Sequence, residues 1–152
     1  MPVTPDIGHA APETILAFDF GLRRIGVAVG QSVTMSASPL GVVSNSDKGP
    51  DFEAIDRLIH EWRPTRLVVG LPLHADGEPG EMQAHVEEFV RELWRYNLDV
   101  DTVDERYTSI EAEEALKKAR AAGSRGRVSK EAIDSAAAVF IAERFLSGQT
   151  NV

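Results

Sequence analysis

The sequence predicts an α/β domain built on a mixed five-stranded sheet with helices on both faces. Three apolar runs come first, and because the links between them are too short to hold a helix, these strands should form an antiparallel meander. Two further apolar runs alternate with stretches of helical periodicity, which indicates two parallel strands joined by crossover helices. The length of 152 residues fits one domain of this kind.

The predicted elements follow one another in the order β-β-β-α-β-α-β-α-α. Strands are predicted where apolar residues are continuous, and helices where apolar residues recur every three to four positions. Turn-forming residues predict a loop over residues 44–50 between the meander and the first helix, and Pro64 should end that helix. The predicted strands are 14–20, 25–30, 35–43, 67–69 and 98–103, and the predicted helices are 51–62, 79–94, 108–120 and 129–146.

Composition and the start of the chain narrow the class of protein. Residues 1–13 contain Pro, Gly and Ala without an apolar run, which predicts a disordered N-terminal tail before a domain over residues 14–148. This start lacks the regions of a signal peptide, and no apolar run approaches the roughly 20 residues of a membrane span. The absence of cysteine excludes disulfides, thiolate zinc sites and cysteine nucleophiles. We therefore expect a cytoplasmic protein that makes no membrane contact.

Three carboxylates lie at the edges of apolar segments. Asp19 ends the first apolar run, Glu105 follows the fifth predicted strand, and Asp134 falls on the apolar arc of the last helix. An ionised carboxylate beside a buried face is costly unless it is paired or binds a metal. Because ligands gather at the carboxyl ends of strands, the three could form one oxygen-ligand site for Mg²⁺ or Mn²⁺. The alternatives are a turn residue, a surface ion pair with Arg106 and a helix N-terminal acid, respectively.

Four blocks of the sequence share their order and spacing with one known family. They are FDFGLRRIGVA (18–28), VGLPLHADG (69–77), VDERYTS (103–109) and KEAIDSAA (130–137). In these blocks the chain resembles the YqgF/RuvX-like family of the ribonuclease H-like superfamily, whose members are described as pre-16S rRNA nucleases or Holliday junction resolvases. The blocks extend over nearly the whole chain after Thr14, and together they are a specific signal.

The resemblance implies a ribonuclease H-like fold and a metal-dependent nuclease that hydrolyses phosphodiester bonds. It assigns Asp19, Glu105 and Asp134 as the catalytic, metal-binding triad, with two Mg²⁺ or Mn²⁺ ions as cofactors. It also implies RNA as the main substrate, in 5′-end processing of pre-16S rRNA during ribosome biogenesis. Two residues depart from the family pattern beside the expected site: His74 stands where Asn is usual and Tyr107 where Leu is usual. Both departures bear on substrate preference more than on chemistry.

Basic residues near the triad are candidates for contacts with substrate phosphates. Arg23 matches a basic position of the family and Arg106 could bind a phosphate bidentately, although neutralising acidic neighbours would explain either one equally well. Residues 117–130 carry basic side chains and no acid, against a net charge of −8 for the whole chain. A local basic run on an acidic body favours contact with a nucleic-acid backbone over a merely solvated connection. The substrate-binding candidates in this run are Arg125, Arg127 and Lys130.

Three other functions fit parts of the sequence. A Holliday junction resolvase would use the same chemistry on DNA and needs two active sites, so a stable dimer would favour it, whereas we expect a monomer or a weak homodimer. A non-catalytic RNA-binding factor in ribosome assembly or transcription would not require an intact triad. An actin- or hexokinase-like ATP-binding enzyme needs two lobes, for which 152 residues are too few.

Overall fold

The structure is a computed structural model that describes residues 12–71, 82–104 and 130–150, apart from the side chains of residues 104, 130–134, 149 and 150. The helix predicted over residues 108–120 lies outside the described residues. So does most of the predicted N-terminal tail, which stays a prediction. Glu13, its last residue, is held in place: its backbone N–H donates to the Ser32 hydroxyl at 2.8 Å.

The described elements form one six-stranded sheet and three α-helices. Across the sheet the strand order is β4-β3-β2-β1-β5-β6. A single 3-10 turn, Trp94–Tyr96, connects the second helix to the last strand. In chain order the elements are β1 (Thr14–Asp19), β2 (Arg24–Gln31), β3 (Ser36–Ser46), β4 (Gly49–Pro50), α1 (Phe52–Trp62), β5 (Arg66–Leu71), α2 (Met82–Leu93), β6 (Asp99–Asp104) and α3 (Lys130–Thr150).

The mixed sheet is confirmed, with one strand more than predicted. Strands β1, β2 and β3 are antiparallel neighbours, while β5 runs parallel to β1 and β6 runs parallel to β5. The prediction of a loop over residues 44–50 was wrong, because β3 continues to Ser46 and turns back into the two-residue strand β4. Gly49 makes this turn possible, since its φ of +106° is a conformation that other residues rarely adopt.

Helix α1 begins and ends where the sequence predicts. The Asp51 carboxylate accepts a hydrogen bond from the Ala54 backbone N–H at 3.3 Å, which caps the first turn. At the other end Arg63 adopts a left-handed conformation with φ of +48°, and its N–H donates to the Ile59 carbonyl. Pro64 follows directly and cannot continue the helix. The chain is thereby turned back towards β5.

The sheet carries a separate apolar core on each face. Side chains alternate along a strand, so Leu16 and Phe18 of β1 pack into the core beneath α1 and α2, whereas Ile15 and Ala17 pack against α3. All four are fully buried. Asp19 is the next odd-numbered residue of the same strand and therefore lies on the α3 face.

Helix α3 runs antiparallel to β1 across this face. Near its C-terminus, Leu146 packs beside Gly30, which pairs with Ile15 at the start of β1. Near its N-terminus, the Ser135 hydroxyl bonds to the backbone of Val27, which pairs with Phe18 near the end of β1. The N-terminal part of α3 therefore lies over the carboxyl ends of the strands. No helix in the described parts of the chain is long and apolar enough to cross a membrane.

An ionic cluster lies at the opposite end of the parallel strands, where β1 and β5 begin. Arg66, the first residue of β5, contacts Asp101 at 2.6 Å and Glu13 at 3.1 Å. Its guanidinium group also lies 5.7 Å from the centre of the Phe145 ring on α3. The cluster ties β1, β5, β6 and the C-terminal part of α3 together at the end of the sheet that is remote from Asp19.

The turn between β1 and β2 requires glycine at position 21. A Cβ atom there would lie 2.5 Å from the Arg24 carbonyl oxygen, closer than real Cβ contacts allow. Asn45 holds the same turn from β3: its side-chain amide donates to the Gly21 carbonyl at 2.7 Å and its backbone N–H donates to the Arg23 carbonyl at 3.0 Å. The backbone of this turn, which follows Asp19, is therefore held by two hydrogen bonds from Asn45.

We expect Gly21→Ala to lower the free energy of unfolding by about 1–3 kcal/mol, because the new methyl group must displace backbone. Gly148→Ala is the matched control: nothing lies within 4 Å of a Cβ there, and alanine should stabilise α3 by up to about 1 kcal/mol. Urea unfolding of the two variants and the wild type measures both effects. Equal stability of Gly21→Ala and wild type would mean that the turn relaxes without strain.

Candidate active site

The carboxyl ends of the parallel strands meet at one edge of the sheet. Phe18 pairs with Val69 and Leu71 pairs with Asp104, so β1, β5 and β6 all end at the same level. Adjacent strands are about 4.8 Å apart, which puts the backbone of Asp104 about 10 Å from the end of β1. Residues at or just beyond these strand ends are therefore close enough to share one ligand.

Asp19 is the best-defined member of the predicted triad. It is the last residue of β1, half-buried, and engaged in an interaction within the fold. Gly26 pairs with it across β2, and Gly70 follows Val69, the partner of Phe18, on β5. The positions beside Asp19 on both neighbouring strands thus carry no side chain.

Helix α3 places the backbone of Asp134 at this end of the sheet. Asp134 lies one residue before Ser135, whose hydroxyl donates to the Val27 carbonyl and accepts from the Gly41 N–H, both at 3.3 Å. Val27 is adjacent to Gly26, the residue opposite Asp19. The backbone of α3 at position 134 is therefore near Asp19, while the Asp134 side chain lies outside the described residues.

Glu105 lies outside the described residues, one position beyond the end of β6. In β6 itself, Asp101 reaches Arg66 and Val103 packs with the core on the α3 side, so odd-numbered residues face α3. Within the residues that the structure describes, no three His, Cys, Asp or Glu side chains are grouped to hold a metal ion. The side chains of two of the three predicted ligands, Glu105 and Asp134, lie outside these residues, so the triad as a set stays a prediction.

The predicted substrate-binding residues are described only in part. Arg23 is exposed in the turn between β1 and β2, at the same edge as Asp19. Its carbonyl is held by Asn45, so its backbone is fixed while its guanidinium group reaches solvent. Lys130 is the first residue of α3, with its side chain outside the described part. The other predicted contacts and the two departures from the family pattern also lie outside it: Arg106, Arg125, Arg127, His74 and Tyr107.

Two residues that shape this edge were missed by the sequence analysis. Asn45 falls in the stretch predicted as a loop, where an asparagine gives no particular signal. Ser135 is different, because it is a polar residue within the small apolar side chains that follow Asp134. It is also the one buried polar side chain in the part of the chain that the structure describes, with 4% of its surface exposed. A lone buried hydroxyl beside a predicted ligand could have been singled out.

A groove of about 510 Å³ lies at the same edge but on the other face of the sheet, between the turns and α2. Phe20 and Leu22 form its apolar floor. Its charged lining is mainly acidic and consists of Asp47, Lys48, Glu88 and Glu92. Because Asp19 is on the α3 face, this groove is separate from the candidate active site.

An antiparallel meander continued by two parallel strands, with an acidic residue at the carboxyl edge beneath a helix, defines a ribonuclease H-like domain. The solved structure titled "T. thermophilus RuvC in complex with Holliday junction substrate" shares this fold with a TM-score of 0.53. The two chains are 16% identical, and the match covers 91% of this chain and 96% of that chain. The chain belongs to the RuvX family: residues 13–148 match the family model described as Holliday junction resolvase.

Curated relatives match over nearly their whole length. The protein named "Putative pre-16S rRNA nuclease" from Paraburkholderia xenovorans is 47% identical over 136 residues, which is 89% of this chain and 88% of the relative. A protein of the same name from Hahella chejuensis is 45% identical over 139 residues, covering 91% and 86%. The predicted fold and family are confirmed, and the protein is a nuclease, a hydrolase acting on phosphodiester bonds.

Proposed function

We propose that this nuclease is metal-dependent and processes the 5′ end of pre-16S rRNA during ribosome biogenesis in the cytoplasm. The observation that carries the proposal is that Ser135, next to Asp134 on α3, bonds to Val27, whose neighbour Gly26 pairs with Asp19 at the carboxyl end of β1. The names of relatives at 45–47% identity support rRNA as the substrate. A monomer or a weak homodimer suffices for cutting a single RNA strand.

The donor chemistry at this edge fits Mg²⁺ or Mn²⁺. Both ions prefer carboxylate and water oxygens, and the proposed ligands Asp19, Glu105 and Asp134 supply three carboxylates. We propose that the glycines at positions 26 and 70, which lie level with Asp19 on the neighbouring strands, leave room for an ion and its water ligands. A bound pair of ions would activate the attacking water and stabilise the leaving oxygen.

The chain's own residues supply position and charge. Asp19 ends a fully buried strand and is followed by a turn that Asn45 holds, so its carboxylate has a fixed origin. Glu105 follows β6, and Asp134 comes from the opposite side on α3. We propose that these three carboxylates converge on one metal site, so that the chain's main contribution to the reaction is preorganised geometry and charge.

Basic residues around this point would hold the substrate backbone. Arg23 is exposed at the same edge, where its guanidinium group can bind a phosphate. We propose that Arg106, Arg125, Arg127 and Lys130 extend this contact along the strand. Such contacts read charge and spacing rather than base identity, which suits a long precursor strand.

A DNA junction is the second candidate substrate, because the family model is described as Holliday junction resolvase. Cleavage of leader-bearing pre-16S rRNA and of a four-way DNA junction, each in Mg²⁺ and in Mn²⁺, compares the two directly. We expect the RNA to be cut faster. Preference for the junction, together with a stable dimer, would replace the RNA proposal. Binding of the RNA without cutting by the wild type would point to a non-catalytic assembly or transcription factor.

Asp19→Asn should abolish cleavage while preserving the fold, because the change is near-isosteric and removes one ligand charge. Loss of groups that merely orient a metal ligand costs about 10–100-fold, so loss of a ligand should exceed about 100-fold. Asp47→Asn, an exposed change at the same edge but on the other face, is the matched control and should cleave normally. Single-turnover assays and thermal melts measure both. Wild-type cleavage by Asp19→Asn would rule out its role as a ligand.

Mg²⁺ or Mn²⁺ should raise the melting temperature, since the ions bind only the folded protein and relieve repulsion among the carboxylates. At about 100 times the dissociation constant the gain is about 2.7 kcal/mol. Asp134→Ala should lose this gain, whereas Glu143→Ala, which removes an exposed acid of the same helix, should keep it. Calorimetric titration gives the heats directly. Equal binding by Asp134→Ala and wild type would mean that the metal sits elsewhere.

Replacing Arg125, Arg127 and Lys130 with Gln should weaken RNA binding and its dependence on salt. Each phosphate contact contributes a slope of about −0.7 on a log–log plot, so the slope should flatten by up to roughly 2 units. The charge-matched control replaces Lys48, Arg57 and Arg91, which are exposed on the other side of the sheet. Filter binding over a salt series distinguishes the two. If both triple variants behave alike, net charge rather than the basic run governs binding.

A further inference from the structure

The hydroxyl group of Ser135 joins the helix that carries Asp134 to the strand opposite Asp19. It donates to the Val27 carbonyl and accepts from the Gly41 N–H, each at 3.3 Å. Val27 and Gly41 are paired residues of β2 and β3. A single small side chain therefore bridges α3 to two strands at once, 94 and 108 residues away in sequence.

The contact sits on an irregularity of the sheet. The register between β2 and β3 shifts next to Val27: Val27 pairs with Gly41 but Ala28 pairs with Pro39, so Leu40 is an extra residue. Gly41 has a φ of +108°, which a glycine adopts without strain. A bulge of this kind re-aims backbone groups, and here the groups beside it face the hydroxyl of α3. The bulge is a docking point for the helix.

Around Ser135, the other described side chains of α3 that face the sheet are small and interlock little with it. Near Ser135 the helix presents the small buried side chains of Ala137, Ala138 and Ala142 to the sheet. Small side chains permit close approach but interlock little, and dispersion contacts have no preferred direction. Hydrogen bonds to two fixed backbone groups are directional. The two hydrogen bonds of Ser135 therefore constrain both the rotation of α3 about its axis and its axial position at this end.

We propose that Ser135 is a positioning residue of the active site, which sets the place of Asp134 relative to Asp19. This inference rests on the proposed metal site. Asp134 is its immediate neighbour in α3, and Val27 is the neighbour of Gly26, which pairs with Asp19. A site of this kind tolerates displacements of only about 0.5 Å. Without the hydroxyl, the Val27 carbonyl and the partly buried Gly41 N–H each lose a partner, which favours a shift of the helix or the entry of water.

Ser135→Ala is the test variant, and Ile141→Val is its control. Ile141 is fully buried in the same helix, farther from the site, so its truncation weakens the packing of α3 without touching the bulge. We expect Ser135→Ala to weaken Mn²⁺ binding at least about 10-fold, the usual cost of removing a group that orients a metal ligand. Its half-saturating Mg²⁺ concentration for cleavage should rise by the same factor, with much of the maximal rate recovered at high Mg²⁺. Ile141→Val should lower the melting temperature and leave both metal constants unchanged.

Two further measurements distinguish a positioning role of Ser135 from a general loss of stability. In metal-free protein, Ser135→Ala should speed amide hydrogen exchange in the N-terminal part of α3 and not around Leu146. Ser135→Cys, with a weaker donor and acceptor of similar size, should fall between wild type and Ser135→Ala. Unchanged metal affinity in Ser135→Ala, or an equal loss in Ile141→Val, would overturn the positioning role alone. A wild-type protein that binds no metal would instead overturn the proposed function, and the inference with it.

Discussion

Strand β1 is the constraint on which the rest of this structure depends. It lies between β2 and β5, and its four central residues are fully buried because each belongs to one of two cores. Side chains alternate between the two faces, so the register of β1 is fixed: a slip by one residue would move every side chain of the strand to the opposite core. It would also move Asp19 from the face of α3 to the face of α2. Apolar packing thus fixes the position of the one triad carboxylate that the structure describes.

Helix α3 meets the sheet in two different ways along its length. Its C-terminal part is held by buried apolar contacts around Leu146 and by the Arg66 cluster, which is partly exposed and adds about 1 kcal/mol or less per ion pair. Its N-terminal part relies on small side chains and the Ser135 hydroxyl. Among the side chains of α3 that the structure describes, the large fully buried ones, Ile141 and Leu146, therefore lie towards the end remote from Asp19.

Much of this architecture could be read from the sequence, since its signals are local. Continuous apolar runs predicted β1, β2, β3, β5 and β6, and Pro64 predicted the end of α1. Strand β4 was not predicted because two residues are too few to show an alternating or continuous apolar pattern. Its pairing also depends on how far β3 continues. The candidate site was predicted from charged residues at the edges of apolar runs, and of these Asp19 does lie at the end of β1. The bulge at Val27, the bond from Asn45 and the direction of α3 arise from contacts between distant segments, which no local pattern records.

The acidic groove on the α2 side makes that face of the sheet unfavourable for binding polyanions. Its charged lining has three carboxylates, those of Asp47, Glu88 and Glu92, against the single ammonium of Lys48. A nucleic-acid strand that approaches this side meets a repulsive field over about one Debye length, roughly 8 Å at physiological salt. Arg23 is exposed at the same end of the sheet and is not among the residues that line this groove. Part of the acidic charge that gives the whole chain its negative sign therefore lies where it disfavours the approach of a polyanion from the side of α2.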